Sequence, residues 1–223
     1  RFADPEGRHL GWRVEAPGLR LLAPDLRSER TRRQVMGAGG WAMMDGLRPS
    51  GGRTLLISSV PLLGPRLSLL EGVMRLHPGM LKYEDDLRDQ WQSRAHRSEW
   101  RRMLARVRDM GGGGGGAITS LSGEIHLAAR ATMALGGGRV LHQLTASGIS
   151  HRAPPRGWAR FLDLLSRLGD APLDGHPIRM ERLPGRRERF AAERNFLVLS
   201  RRADAWTAEW DLETSGRTEP LTI

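Results

Sequence analysis

Thr54-Leu55-Leu56-Ile57-Ser58-Ser59-Val60 constrains this chain more than any other stretch. It is apolar and rich in β-branched residues, follows the turn signals Pro49-Ser50-Gly51-Gly52, and stops at Pro61. Such a run predicts a strand. A strand has to be paired and covered, so the question is what surrounds it.

Leu19 to Ala23 is a second apolar run, ending at Pro24-Asp25, and reads as a buried strand. Ala117-Ile118-Thr119-Ser120-Leu121 and Val140 to Ser147 read as two more. Between them lie helical patterns. Trp41 to Leu47 predicts a short helix, and Trp158 to Leu168 an amphipathic one with Phe161, Leu162, Leu164, Leu165 and Leu168 on its apolar side. Tyr83 to Arg108 predicts the longest helix, with Glu84, Asp85 and Asp86 in its first turn and Arg101, Arg102, Arg106 and Arg108 in its last, which suits the helix dipole. Its charges read as a solvated face, and His96, between Arg94, Arg97 and Glu99, as solvent-exposed. Asn195 to Ser200 and Trp206 to Leu212 predict an antiparallel hairpin turning at Ala203-Asp204, with Phe196, Trp206 and Trp210 in the core. Strands alternating with helices, then a terminal hairpin, predict an α/β domain with a mixed sheet.

The six glycines Gly111 to Gly116 lack the spacing and the following Lys or Ser/Thr of a phosphate loop, and read as a flexible insert. No apolar run approaches the roughly 18 residues that span a bilayer. The absence of cysteine excludes disulfides, thiolate metal sites and a Cys nucleophile. A formal charge of +10 raises nucleic acid as a partner. Against it, Lys82 is the only lysine among 35 basic residues, a skew that points to codon bias. The arginines are interleaved with acids, as in Asp25-Leu26-Arg27-Ser28-Glu29-Arg30, and base-stacking aromatics are few. Nucleic acid is therefore not the expected partner, although the charge would help attract a phosphorylated substrate. The chain starts at Arg1 with no signal-peptide pattern, which reads as a cut through a longer chain.

Polar groups gather where predicted strands run out: Asp25 with Arg27, Ser58 with Ser59, and Glu124 with His126. In open α/β sheets ligands bind beyond the carboxyl ends of strands, so these three sets are expected to converge on one pocket. If Ser122-Gly123-Glu124-Ile125-His126 continues the strand, Glu124 and His126 point to the same side and can share a metal ion or a phosphoryl group. The alternative is a surface Glu and an ordinary His at a strand-to-loop corner. Neither Ser122-Gly123 nor Ser147-Gly148 completes a Gly-x-Ser-x-Gly elbow, and no pair of carboxylates stands out for glycosidase chemistry. Metal-assisted phosphoester hydrolysis fits better, since it uses His and carboxylate on loops after strands with arginine on the phosphate oxygens.

Several blocks, in order, resemble the PhoD-like (alkaline phosphatase D type) metallophosphatases. They are Asp25-Leu26-Arg27-Ser28-Glu29-Arg30-Thr31, Val60-Pro61-Leu62-Leu63-Gly64-Pro65-Arg66-Leu67, Asp85-Asp86-Leu87-Arg88-Asp89-Gln90-Trp91, Leu121-Ser122-Gly123-Glu124-Ile125-His126-Leu127-Ala128-Ala129, and Ser147-Gly148-Ile149-Ser150 with Pro154-Pro155. They cover most of residues 18 to 165 and resemble the second half of such a domain. The resemblance implies part of an αββα metallophosphoesterase sandwich with a mixed sheet and a C-terminal β-hairpin. It implies a binuclear centre of divalent or trivalent metal ions, a phosphate-ester substrate, and a metal-bound hydroxide attacking phosphorus. Carried onto this chain, His126 and Glu124 are the metal-ligand candidates, and Asp25, Arg27 and Asp89 the catalytic candidates. Glu124 stands where the family has Asp, and its extra methylene moves the carboxylate by roughly 1.5 Å, so a bond that orients His126 is an equal alternative to direct ligation. The family's earlier ligand motifs have no counterpart in residues 1 to 24. Residues 1–223 are therefore expected to be the C-terminal half of an enzyme and to need the missing N-terminal half for activity; the alternative is a noncatalytic relative that keeps the fold.

Overall fold

The computed structural model describes residues 9–66, 90–112, 114–123, 125–146 and 148–223. Among the described residues the backbone forms a nine-stranded mixed sheet, a four-stranded antiparallel sheet and three α-helices. The large sheet runs in the order β1 (Trp12–Ala16), β2 (Leu19–Ala23), β3 (Arg53–Ser58), β4 (Ile118–Ser122), β6 (Arg139–Thr145), β5 (Ala128–Gly136), β8 (His176–Glu181) and β7 (Asp170–Leu173), while β9 (Phe190–Ala191) pairs with β5. The central run β2-β3-β4-β6 is parallel and the flanking pairs are antiparallel. The small sheet is β10 (Asn195–Arg202), β11 (Ala205–Leu212) and β12 (Gly216–Arg217), with β13 (Leu221–Thr222) on β11.

Registers assign the two faces of the large sheet. Leu22, Leu56, Ile118, Leu141 and Met133 project to one side, where they pack with Trp41 and Met44 of α1 (Ala38–Asp45), Trp100, Met103 and Val107 of α2 (Arg97–Gly111) and Leu162 of α3 (Arg156–Ser166). On the other side Leu144 and Ala128 meet Ala208, Trp210 and Leu212 of β11. Trp210 Nε1 donates to the Thr145 carbonyl at 2.8 Å, joining the sheets by a buried hydrogen bond. The layers are helices, large sheet, small sheet: an α/β sandwich, as the alternation of elements predicts. Parallel strands are stable here because both faces are covered.

The predicted strands over residues 19–23 and 54–60, and the hairpin at Ala203-Asp204, appear within a residue or two, with Ala203 in the left-handed region at φ 51°. The long helix is shorter than its charge pattern predicts. Ser93 is extended (ψ 154°), a 3₁₀ turn covers Arg94–His96, and α2 starts only at Arg97; residues 83–89 lie outside the described residues. His96, expected in solvent, is 2% exposed, with Nδ1 3.1 Å from Ser93 Oγ and 3.2 Å from the Gln90 carbonyl. Phe196, expected in the core, is 43% exposed.

The glycine run closes α2 at Gly111, and Gly116 then backs onto Gly52: a Cβ on Gly116 would lie 1.8 Å from the Gly52 carbonyl oxygen. At that end of the run the glycine is needed for a close backbone approach. No helix among the described residues is long and apolar enough to cross a membrane.

Candidate functional site at the carboxyl edge of the parallel strands

Because β2, β3, β4 and β6 are parallel, their carboxyl ends lie along one edge. Ser58 is registered with Ser122 and Ser122 with Thr145, so three hydroxyl side chains stand in a row at the strand ends. The next described residues along the chain form the site: Asp25 to Ser28 after β2, Ser59 after β3, Gly123 and Ile125 to Leu127 after β4, and Ala146 and Gly148 to His151 after β6.

Asp25 organises the first of these loops. Its Oδ1 accepts the amides of Arg27 (2.9 Å) and Ser28 (3.0 Å), and its Oδ2 accepts the amide of Leu10 (2.8 Å). Burial alone would raise this carboxyl. The Leu10 amide, the Ser28 hydroxyl and amide, and the Arg27 amide outweigh it and hold the group far below the usual carboxylate range. With the loop pinned in this way, Arg27 Nε donates to Ser59 Oγ at 3.2 Å. The Asp25/Arg27 and Ser58/Ser59 sets therefore meet, as the strand-end argument expects, and the register of β3 with β4 brings Ser122 beside Ser58.

His126 is placed differently from the sequence argument. β4 ends at Ser122, and His126 sits in the following loop with φ 53°, so side-chain alternation along a strand does not set its direction. A non-glycine residue in the left-handed region costs about 1–2 kcal/mol. The half-buried His126 ring lies on the ring of His151, with centroids 3.8 Å apart and planes 10° apart. His151 Nδ1 donates to the Arg152 carbonyl at 2.8 Å, which leaves Nε2 as the nitrogen facing outward in the neutral ring. Glu124 and Asp89 lie outside the described residues.

The resemblance predicts metal ions here, and the described residues do not fit them. Among these residues no three His, Asp or Glu side chains are gathered closely enough to hold one ion. The stacked imidazoles do not supply a pair of ligands either. Their lone pairs lie in the ring planes, and near-parallel rings with centroids 3.8 Å apart do not converge on an ion that needs nitrogen at about 2.1 Å.

Two buried glutamines missed by the sequence reading hold the edge together. Gln143, 1% exposed, accepts the amides of Leu62 (3.0 Å) and Leu63 (3.4 Å) on Oε1 and donates from Nε2 to Ser122 Oγ at 2.7 Å. Gln92, 2% exposed, donates to the carbonyls of Pro61 (3.0 Å) and Leu62 (3.2 Å), and Trp100 Nε1 donates to the same Leu62 carbonyl at 2.8 Å. Ser58 Oγ donates to the Val60 carbonyl, and Ser122 Oγ lies 3.2 Å from Thr145 Oγ1. The edge hydroxyls are thus bonded to each other, to Gln143 and to the backbone. The visible signal was an amide at position 143, between Leu141 and Leu144 of a predicted strand.

Beside the hydroxyl row, between the large sheet and β10, lies a cleft of about 460 Å³. Ile57, Leu121 and Leu144 line it from the large sheet and Leu197 and Leu199 from β10. Ser58, Ser122 and Gly123 also line it.

Comparison with known proteins adds two likenesses. No family model matches the chain. In sequence it is 26% identical over 140 residues to the uncharacterized protein YGR266W of Saccharomyces cerevisiae, a match covering 50% of this chain and 20% of that protein. In fold it is similar to the solved structure of PhoD, with a TM-score of 0.58 at 9% identity, over 96% of this chain and 40% of that one. The chain thus spans a fifth of the curated relative and two fifths of the solved structure. At that identity the likeness is one of fold, and the chain carries a PhoD-like α/β sandwich.

Proposed function

We propose that this chain is the C-terminal half of a PhoD-type phosphoester hydrolase, and that the whole protein acts on phosphate esters. The observation that carries the reading is the shared fold: nearly all of this chain is matched, while most of the PhoD chain has no counterpart in it. The strand-end edge is the part of the active site supplied here. Arg27, held at the edge by Ser59, is the candidate phosphate-binding side chain. Asp25, with both oxygens taken by backbone donors, positions Arg27 and moves no proton. His126 faces the reacting group, with Glu124 beside it in sequence and Asp89 as a further acid. Any metal centre has to draw most of its ligands from outside the described residues.

The test is hydrolysis of p-nitrophenyl phosphate by the full-length protein with divalent metal added. Activity falling at least about 100-fold in His126→Ala and in Arg27→Ala is expected, as for loss of one positioned catalytic group. Wild-type turnover in both variants would remove this edge from the active site. The 223-residue chain alone is expected to be inactive.

The parallel stacking of His126 on His151 favours a second reading, a noncatalytic domain that keeps the fold. Metal analysis of the full-length protein separates the two, since stoichiometric bound metal excludes the second.

A further inference from the structure

The small sheet covers only part of the large one. Along β6 exposure rises from Leu144 at 1%, packed against β11, through the half-buried His142 to Val140 at 40%. Where the cover ends, the registers set a polar row across four strands: Thr119, His142, Thr132 and Arg179. Strand alternation puts Arg53, Arg130 and Glu181 on the same face, each two residues along its strand from that row. On these strands three arginines therefore share the face with one carboxylate.

The charges differ in how they are held. Arg53 donates to Thr119 Oγ1 at 2.9 Å and to the Ile223 carbonyl, and lies over the Trp206 ring. Glu181 Oε1 accepts from Thr132 Oγ1 at 3.0 Å. Arg130 stands opposite Glu181 in the register, yet among the described residues no hydrogen bond or ion pair to it is found. Its Nε is buried without a partner, and the residue as a whole is half-buried. A cation drawn into a protein with no counter-charge in contact is costly, because it has lost water and gained nothing in exchange. Burial accordingly disfavours the charged form of Arg130, and Glu181 opposes that. Burial, then the charges of Arg130 and Arg53, push His142 below the usual histidine range, with Glu181 acting the other way.

We infer that Arg130 and His142 form a binding site for a phosphate-type oxyanion on this face of the large sheet. Arg53, already engaged, adds its charge from the side. A bound oxyanion gives Arg130 the counter-charge it lacks and lets His142 take up a proton and donate. The site lies mid-strand, whereas Arg27 and His126 follow the strand ends, so it stands whether or not the protein hydrolyses phosphate esters.

The test is a sulfate titration of the 223-residue chain at constant ionic strength, followed at the ring resonances of His142, which the spectrum of His142→Gln assigns. Sulfate keeps its double charge throughout the histidine range, and reading one ring sets aside sulfate bound elsewhere. A saturable shift is expected, with His142 titrating at a pH higher by about 1 in sulfate than in chloride. Binding is expected to weaken by about tenfold or more in Arg130→Met, and to stay unchanged in Arg202→Met, which removes an exposed arginine of β10. A wild-type His142 that titrates alike in the two salts overturns the inference, whatever the variants do. So does a sulfate effect that survives Arg130→Met, or one that Arg202→Met weakens equally, since diffuse positive charge would then be enough.

Discussion

The ring of His126 lies flat on the ring of His151, centroids 3.8 Å apart and planes 10° apart, although the two residues follow different strands of the sheet. The contact closes the loop after β4 onto the loop after β6 and holds His126 in a left-handed backbone that its side chain disfavours. The arrangement separates two contributions to stability, one from the ring and one from the backbone.

Replacing His126 by Gly or by Ala removes the ring in both cases, but only Gly relieves the backbone. The Gly variant is expected to be more stable than the Ala variant by about 1 kcal/mol, as read from urea midpoints. An Ala variant at least as stable as the Gly variant would show that position 126 carries no such strain.

Asp25 predicts a pH dependence. Its native carboxyl lies below the unfolded value of about 3.9, so the unfolded state binds the proton more readily. The stabilisation is complete above that unfolded value and is lost as pH falls through the native one. Asp25→Asn is expected to cost about 1–3 kcal/mol at pH 7 and to flatten the decline in stability below about pH 4. Urea melts at pH 7, 4 and 3 measure this, and an unchanged acid limb in the variant would contradict it.

Gln143→Leu fills nearly the same space but strips partners from two buried amides and a hydroxyl. A loss of about 2–4 kcal/mol is expected, with faster hydrogen exchange at Leu62 and Leu63. A loss below about 0.5 kcal/mol would mean that the loop is held by Gln92 and Trp100 without it.

Gly116→Ala places a methyl against the Gly52 carbonyl and is expected to destabilise by about 1–3 kcal/mol. Gly114 has open space around the Cβ position but φ 90°, so Gly114→Ala tests backbone strain without a clash. Melting temperatures of the pair distinguish a packed Gly116 from a merely flexible run; an unaltered Gly116→Ala would support the flexible reading.

What could be read from the sequence was whatever neighbouring residues decide among themselves. The apolar runs bounded by Pro and Gly at 19–23 and 54–60, the apolar stripe of α3, and the hairpin at Ala203-Asp204 are local patterns, and each appears nearly where it was expected. The strand-end rule also joined Arg27 to Ser59, because parallel strands place their carboxyl ends together whatever else the fold does.

Other features depend on partners distant in the chain. β5, Ala-Ala-Arg-Ala-Thr-Met-Ala-Leu-Gly, has little strand propensity and forms because β6 and β8 flank it. His96 stands among arginines and a glutamate, yet it is buried; the partners at its Nδ1, Ser93 and the Gln90 carbonyl, are local, but its burial is not. Phe196 is exposed because it alternates with Leu197 and Leu199, which pack toward the large sheet, and so falls on the outer face of β10, a choice that only the packing of the two sheets makes. The same division runs through the site. Sequence alone was enough to bring Ser122 and His126 to the end of a strand, since that takes only an apolar run and its terminator. Only the tertiary structure ended that strand at Ser122, turned His126 through a left-handed backbone and laid it on His151, because ring stacking and loop closure depend on residues more than twenty positions apart in the chain.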